Sequence, residues 1–366
     1  MSPRNQRIVD LNILENNMRT IRAFVRDQTK IMAVVKADGY GHGAVKTAAA
    51  ALRGGAEMLA VASVSEGKQL READISAPIL VLGAVTEEDA EEGVRQGLIQ
   101  SVCSSEMVKW CEKAALTLQK QTEVHLKIDT GMGRIGVRNA EERDAVLKEL
   151  HQSQNVRLSG AYTHFADADG DEKGILYTRK QYEIFLCLTE PIKDGILRHC
   201  CNSAAIHRFP EMALDMVRAG ISLYGYPPVR TGLPLYPCMT WTAKISYIKE
   251  LPAGTFISYG RTYCSEKTVR VATVTCGYGD GYHRAAGSRG FVLIHGQRAR
   301  ILGRVCMDQF MIDITGIDDT AVGDEVTLIG QSGEDRITAE DLASWAGTIS
   351  YEILLSAANR VERIYR

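Results

Sequence analysis

The chain has 366 residues, 45% hydrophobic and 24% charged, with a formal net charge of -2. That balance suits a soluble globular protein of one large or two ordinary domains, and it provides no overall field to recruit nucleic acid or an anionic membrane. The opening "MSPRNQRIVDLNILENNMRTI" lacks the apolar core of a signal peptide. No run reaches the roughly 18 apolar residues of a spanning helix, so the expected setting is the cytoplasm, with no membrane partner.

Taken in order, short apolar runs alternate with longer stretches of helical period. The expected strands are "IMAVVKA" (31–37), "MLAVASV" (58–64), "PILVLGA" (78–84), "IQSVCS" (99–104), "EVHLKIDT" (123–130), "RLSGAYTH" (157–164), "ILRHCCNS" (196–203) and "LDMVRAGIS" (214–222). The helices between them include "EEDAEEGVRQG" and "NAEERDAVLKELHQ", which open with acids that suit the positive end of the helix dipole. About eight strand–helix units with near-continuous apolar strands imply a closed parallel (β/α)8 barrel. An open doubly wound sheet is the runner-up, but no GxGxxG turn follows the first strand and no Walker A motif occurs.

After Tyr224 the character changes. "GYPPVRTGLPLYP" reads as a connection, and "MTWTAKISYIKEL", "VRVATVTCGYG", "GFVLIHGQRARILGRV", "FMIDITG" and "DEVTLIG" read as strands joined by tight turns. One helix near "TAEDLASWAG" interrupts them, with Thr338 as N-cap. The expected division is an α/β barrel at 8–228 followed by a mostly β domain at 229–366, with residues 1–7 left open to join the latter. The nine cysteines are odd in number, scattered and without a CxxC pair, which reads as reduced thiols and no metal site.

A (β/α)8 barrel places its chemistry at the C-terminal ends of the strands. Lys36, the segment carrying Asp129 and Arg134, His164, Asn202 with Ser203, and Arg218 with Gly220 and Ile221 all fall there. A lysine in such a mouth, desolvated and beside a second cation, becomes a neutral amine able to attack a carbonyl or take a proton. Read alone, it could equally snorkel from a strand end into water. Ser203, the amides at Gly220 and Ile221, and the Tyr40 hydroxyl are donors that suit a phosphate at the barrel's usual anion site. Lysine plus phosphate cradle suggests pyridoxal phosphate (PLP).

"AVVKADGYGHG" resembles the PLP-lysine signature of alanine racemases, which are fold-type III PLP enzymes. "KIDTGMGRIG", "THFADAD", "CNSAA", "RAGISLYG", "ISYGRTY", "GYGDGY", "GRVCMDQ" and "SYEIL" match family segments in that order, so the resemblance covers nearly the whole chain. It implies interconversion of L- and D-alanine by two catalytic bases in a homodimer, supplying D-alanine for peptidoglycan. Lys36 would hold PLP and serve the D side; Tyr259, from the partner subunit, would serve the L side. Tyr40, Ser203, Gly220, Ile221 and Tyr351 would hold the phosphate, with Asn202 beside them. His164 would pack on the cofactor ring and bond Arg218, which would face the ring nitrogen. Arg134, Met307 and Tyr278 would bind substrate, the last two from across the interface. Lys127 matches a lysine often carbamylated in the family. His42 is read as turn support only.

Each role has a plainer reading. Tyr259 also fits a strand aromatic, Met307 interface packing, Lys127 a barrel lysine paired with Asp129, and Tyr351 a helix cap. Among rival functions, a fold-type III decarboxylase would place an acid near the ring nitrogen, where Arg218 stands. A single-domain PLP-homeostasis protein would lack the second domain. A racemase preferring serine is disfavoured by Tyr351 and Tyr278, which leave little room, although a pocket rejects an added hydroxyl weakly.

Overall fold

The computed structural model describes residues 4–230 and 232–366. The chain forms two compact units. One comprises the N-terminal segment through Ile13, Tyr40–His42 and Pro237–Arg366; the other comprises Leu14–Gly39 and Gly43–Tyr236.

Strand β1 (Asn5–Val9) opens the chain. In the larger unit, β2 (Lys30–Val34), β3 (Met58–Val61), β4 (Ile79–Val81), β5 (Ile99–Val102), β6 (Thr122–Lys127), β7 (Val156–Tyr162), β8 (Leu197–His199) and β9 (Met216–Ala219) form one parallel sheet in the order β8-β7-β6-β5-β4-β3-β2-β9. The seam between β8 and β9 closes through Arg218 N–H to the Cys201 carbonyl (3.0 Å) and Asp215 N–H to the Arg198 carbonyl (3.1 Å). This is the expected (β/α)8 barrel. Its strands are apolar because both faces are covered; β3, β4 and β5 are buried at every position.

All eight runs form strands, but several stop two to four residues sooner than their apolar pattern suggests. Helix N-caps claim the next residues. Ser63, Ser104 and Asn202 each accept a backbone amide of the following helix, which ends β3, β5 and β8 early.

The smaller unit is mostly β, as expected. Its chief strands are β10 (Met239–Leu251), β11 (Phe256–Ile257), β12 (Tyr263–Cys264), β13 (Val269–Val274), β14 (Phe291–Ile294), β15 (Gln297–Leu302), β16 (Phe310–Asp313), β17 (Glu325–Ser332), β18 (Asp335–Ile337) and β19 (Glu362–Tyr365). β1 belongs here, antiparallel to β10 and parallel to β19; the sequence left residues 1–7 open to join this domain but did not show the strand or its partners. His295 and Gly296 join β14 to β15 with positive φ at both residues, the backbone a two-residue hairpin demands. The helix Ala339–Ala346 starts at Thr338, whose hydroxyl and the Asp341 carboxylate close a capping box.

Candidate active site

Lys36 lies just past β2, where the chain leaves the sheet in a left-handed turn. Ala37, Asp38, Gly39 and Tyr40 have φ between 51° and 62°, and Gly41 follows at 80°. This region costs an L-residue roughly 1–2 kcal/mol, so Ala37, Asp38 and Tyr40 together store on the order of 3–6 kcal/mol. Hydrogen bonds hold the strain. Gly39 N–H donates to the Val35 carbonyl (2.9 Å) and Gly43 N–H to the Asp38 carbonyl (2.7 Å). The Asp38 carboxylate accepts from Ala44 N–H at 2.9 Å. Glu66 accepts from Ala37 N–H with one oxygen and from Ala62 N–H with the other, each at 2.7 Å. The backbone next to Lys36 is thereby pinned. Burial and then the charge of Arg134 lower the pKa of the half-buried Lys36 amine, while Glu66 opposes them.

Arg134 sits on a loop organised by one carboxylate. Asp129 accepts from the amides of Gly131, Gly133 and Arg134 at 2.9, 3.0 and 3.0 Å. Gly136 closes this loop at φ +128°, where an added Cβ would lie 2.5 Å from the Asp129 nitrogen. Lys127, buried inside the barrel, donates to the Ile128 carbonyl at 2.8 Å. Burial and then Arg218 pull its amine down to about 8, with Asp129 opposing.

Arg218 is buried in β9. Its guanidinium donates to the carbonyls of Thr163 (2.7 Å), His199 (3.1 Å) and Cys200 (3.1 Å), and it lies 2.9 Å from His199 Nδ1 and 3.4 Å from His164 Nδ1. Burial and then Arg218 hold His164 well below the usual imidazole range, so that ring is neutral. Nearby, Ser203 Oγ accepts from the amides of Gly220 (2.9 Å) and Ser222 (3.3 Å), and Ile221 begins the turn Ile221–Tyr224. Asn202 caps its helix by accepting from Ala205 N–H at 3.0 Å.

In the smaller unit, the rings of Tyr40 and Tyr351 are 6.1 Å apart. Burial and then Tyr351 raise the Tyr40 phenol above its usual value. An added Cβ at Gly41 would lie 2.2 Å from the Leu354 carbonyl oxygen, so only glycine fits this approach to the helix that carries Tyr351. His42 is buried with Nδ1 2.8 Å from the Tyr40 carbonyl, a local contact within the turn. Tyr259 and Met307 line one concavity of about 530 Å³ with Ser258 and Cys306, and remain 68% and 54% exposed. Tyr278 adjoins them: its amide donates to the Cys306 carbonyl at 3.0 Å, and that of Gly279 donates to the Met307 carbonyl at 2.8 Å.

The larger unit thus brings together Lys36, Arg134, Lys127, His164 and Arg218, and separately Ser203, Gly220 and Ile221. The smaller unit brings together Tyr40 with Tyr351, and Tyr259 with Met307 and Tyr278. Sequence reading missed Glu66, Tyr162, His125 and His199. The signal for one of them was present: His125, Lys127 and Asp129 alternate along a strand whose period-two positions share a face, and barrel interiors are normally apolar there.

Two family profiles match the chain: "Alanine racemase, N-terminal domain" over residues 9–228 and "Alanine racemase, C-terminal domain" over residues 238–365. The chain belongs to the alanine racemase family. It is accordingly an enzyme, an isomerase. An alanine racemase of Halothermothrix orenii is 43% identical over 371 residues, covering 98% of this chain and 96% of the relative. One of Clostridium perfringens is 43% identical over 366 residues, covering 98% and 94%. Among solved structures, Bacillus anthracis alanine racemase with bound L-Ala-P superposes with a TM-score of 0.92 at 38% identity, covering 100% of this chain and 96% of that one. A histidine racemase from Leuconostoc mesenteroides shares the fold as well, with a TM-score of 0.91 at 28% identity, covering 100% and 98%.

Proposed function

We propose that this enzyme interconverts L- and D-alanine using PLP, with Lys36 as the base on the D side and Tyr259 of the partner subunit as the base on the L side. The observation that carries the reading is Lys36: its amine is desolvated, beside a guanidinium, and fixed by a strained turn. Desolvation and the guanidinium both shift the amine toward its neutral form, which can act as nucleophile and base.

The residues fit the cofactor. Lys36 would offer a nucleophilic amine for its aldehyde, Ser203 a hydroxyl oriented by the Gly220 amide, and the Gly220–Ile221 turn its backbone, for the phosphate. Tyr40 and Tyr351 are assigned to the same phosphate, with Asn202 keeping the Ser203 helix in register. When bound, PLP supplies an electron sink that acidifies the α-C–H of the amino acid. Arg218 cannot deliver a proton to the ring nitrogen, because a guanidinium stays protonated, so the sink is moderated and side reactions are suppressed. His164, neutral beside Arg218, would pack against the ring. Arg134 and the Met307 amide of the partner subunit orient the substrate carboxylate. Lys36 takes the α-proton from one face while Tyr259 of the partner subunit returns one to the other.

The exposed phenols of Tyr259 and Tyr278 and the exposed Met307 support a shared site, since large apolar groups gathered on one surface mark an interface. Tyr351 and the partner subunit's Tyr278 favour a methyl-sized substrate side chain. The partly neutral Lys127 amine suits carbamate formation with carbon dioxide. We assign the barrel domain to 8–228 and the β domain to 229–366. We place the enzyme in the cytoplasm, supplying D-alanine for peptidoglycan. Among the described residues no helix is long and apolar enough to cross a membrane.

Borohydride reduction of the loaded enzyme, followed by peptide mapping, tests the reading. The label is expected on Lys36, and Lys36→Ala is expected to lose both the visible absorbance and racemisation. A label on another lysine, or turnover in Lys36→Ala, contradicts it.

A further inference from the structure

Arg218 is fully charged yet, among the described residues, makes no ion pair with a carboxylate. Its compensation comes from three carbonyls and two imidazoles, that of His199 at 2.9 Å and, at 3.4 Å, that of His164. A buried guanidinium without a carboxylate is costly, and its orientation depends on neutral acceptors staying acceptors.

Donor and acceptor chemistry gives these contacts a direction. An arginine only donates, so His199 Nδ1, 2.9 Å from Arg218 Nη1, must accept. The His199 proton then resides on Nε2, which lies 3.0 Å from His125 Nδ1. That nitrogen must accept in turn, leaving the His125 proton on Nε2. The chain of hydrogen bonds runs one way, from Arg218 through His199 to His125. A proton added at His199 Nδ1 would face the guanidinium N–H groups head on.

The barrel is shaped around this chain. An added Cβ at Gly160, in β7, would lie 2.5 Å from the His125 ring, so the glycine makes room for it. The β6–β7 pairing slips register between Val124 and His125, an irregularity of the kind that re-aims a side chain beside an active site. Tyr162 stacks on His199 with ring centres 4.9 Å apart and planes 6° from parallel, and its hydroxyl is anchored by Ser101 at 2.7 Å. An apolar barrel core needs none of these departures.

We propose that His125 and His199 are positioning residues that act through one directed hydrogen-bond chain to hold Arg218 charged and oriented toward the cofactor's ring nitrogen. The inference rests on the reading that Arg218 faces that nitrogen. His125 acts through His199: by accepting the Nε2 proton it fixes the imidazole whose Nδ1 holds Arg218. Asparagine at 125 can still accept through its side-chain oxygen, whereas leucine cannot.

Nitrogen NMR of histidine-labelled enzyme is the direct test. Both rings of the wild type are expected neutral with the proton on Nε2 throughout the physiological pH range, whether or not cofactor is loaded. A proton on His199 Nδ1, or an imidazolium there, overturns the chain without any variant. In the loaded enzyme, His125→Leu is expected to lower kcat several-fold, the worth of a hydrogen bond between neutral groups. KM should change little, the visible cofactor band should shift, and the His199 Nε2–H, left without its acceptor, should show a changed nitrogen and proton shift while Nδ1 still accepts from Arg218. His125→Asn should recover the Nε2–H shift, the band and most of kcat. Wild-type kcat and spectrum in His125→Leu overturn the proposal. A wild-type enzyme that lacks racemase activity sinks the functional reading instead, while the tautomers still report on the chain.

Discussion

At Lys36 the electrostatics come from three neighbours: the low-polarity surroundings, Arg134 and Glu66. The first two favour the neutral amine, and Glu66 favours the ammonium. Glu66 also accepts the amides of Ala37 and Ala62, so it holds the strained turn and sets the local field together. Replacing Glu66 by glutamine removes the charge that raises the Lys36 pKa. The midpoint for amine labelling of Lys36 in cofactor-free enzyme is therefore expected to move to lower pH. An unchanged midpoint, or one moved upward, contradicts this. Glutamine offers only one acceptor oxygen for two amides, so a loss of about 1–3 kcal/mol in stability should accompany the shift, measured by urea unfolding.

At the scale of elements, the carrier of Arg134 shows how one side chain organises a loop. Asp129 collects three amides, and Gly136 lets the chain pass close enough to return to the strand. Asp129→Ala leaves those amides without their acceptor and frees Arg134 to wander. If Arg134 positions the substrate carboxylate, KM for alanine should rise several-fold while kcat falls less, as when uniform binding is lost. A fall in kcat with KM unchanged contradicts that role for the loop. Elements were also what the sequence made most legible. Eight apolar runs such as "MLAVASV" gave the barrel, and the 13-residue run "MTWTAKISYIKEL" matches β10 end to end. Their ends were less legible, since Ser63 and Ser104 look like strand residues until their hydroxyls are seen to cap helices. The left-handed turn was hidden because Ala37 and Tyr40 carry no local signal for positive φ. For β1 only a candidate domain was legible, with residues 1–7 left open to join the second; its pairing was hidden because its partners lie more than 200 positions away. At the site, Lys36 and Arg218 fell where polar residues interrupt strand ends. His125 and His199 passed as ordinary strand histidines because their meaning lies in a contact between non-adjacent strands.

For the whole molecule, buried histidines dominate the acid limb of stability. Burial, with Arg218 next in order, holds His125 at about 3 and keeps His164 and His199 well below the usual range. The unfolded chain takes up protons below about pH 6.5 and the folded chain does not, so stability is full above that value and lost as pH falls beneath it. Each of the three should remove about 1 kcal/mol between about pH 7 and about pH 5.5. Urea unfolding at fixed protein concentration measures it; a flat profile over that window contradicts neutral, buried imidazoles. The central claim, however, concerns two chains. If the base on one face of the substrate is Lys36 and the other is Tyr259 of the partner subunit, neither Lys36→Ala nor Tyr259→Ala homodimers can turn over. Mixing them leaves each heterodimer with one site that is intact and one that lacks both bases. Racemase activity of the exchanged mixture is the deciding measurement: statistical pairing predicts recovery to about a quarter of wild type. No recovery, with heterodimers confirmed by mass, would show that each site is built from a single chain.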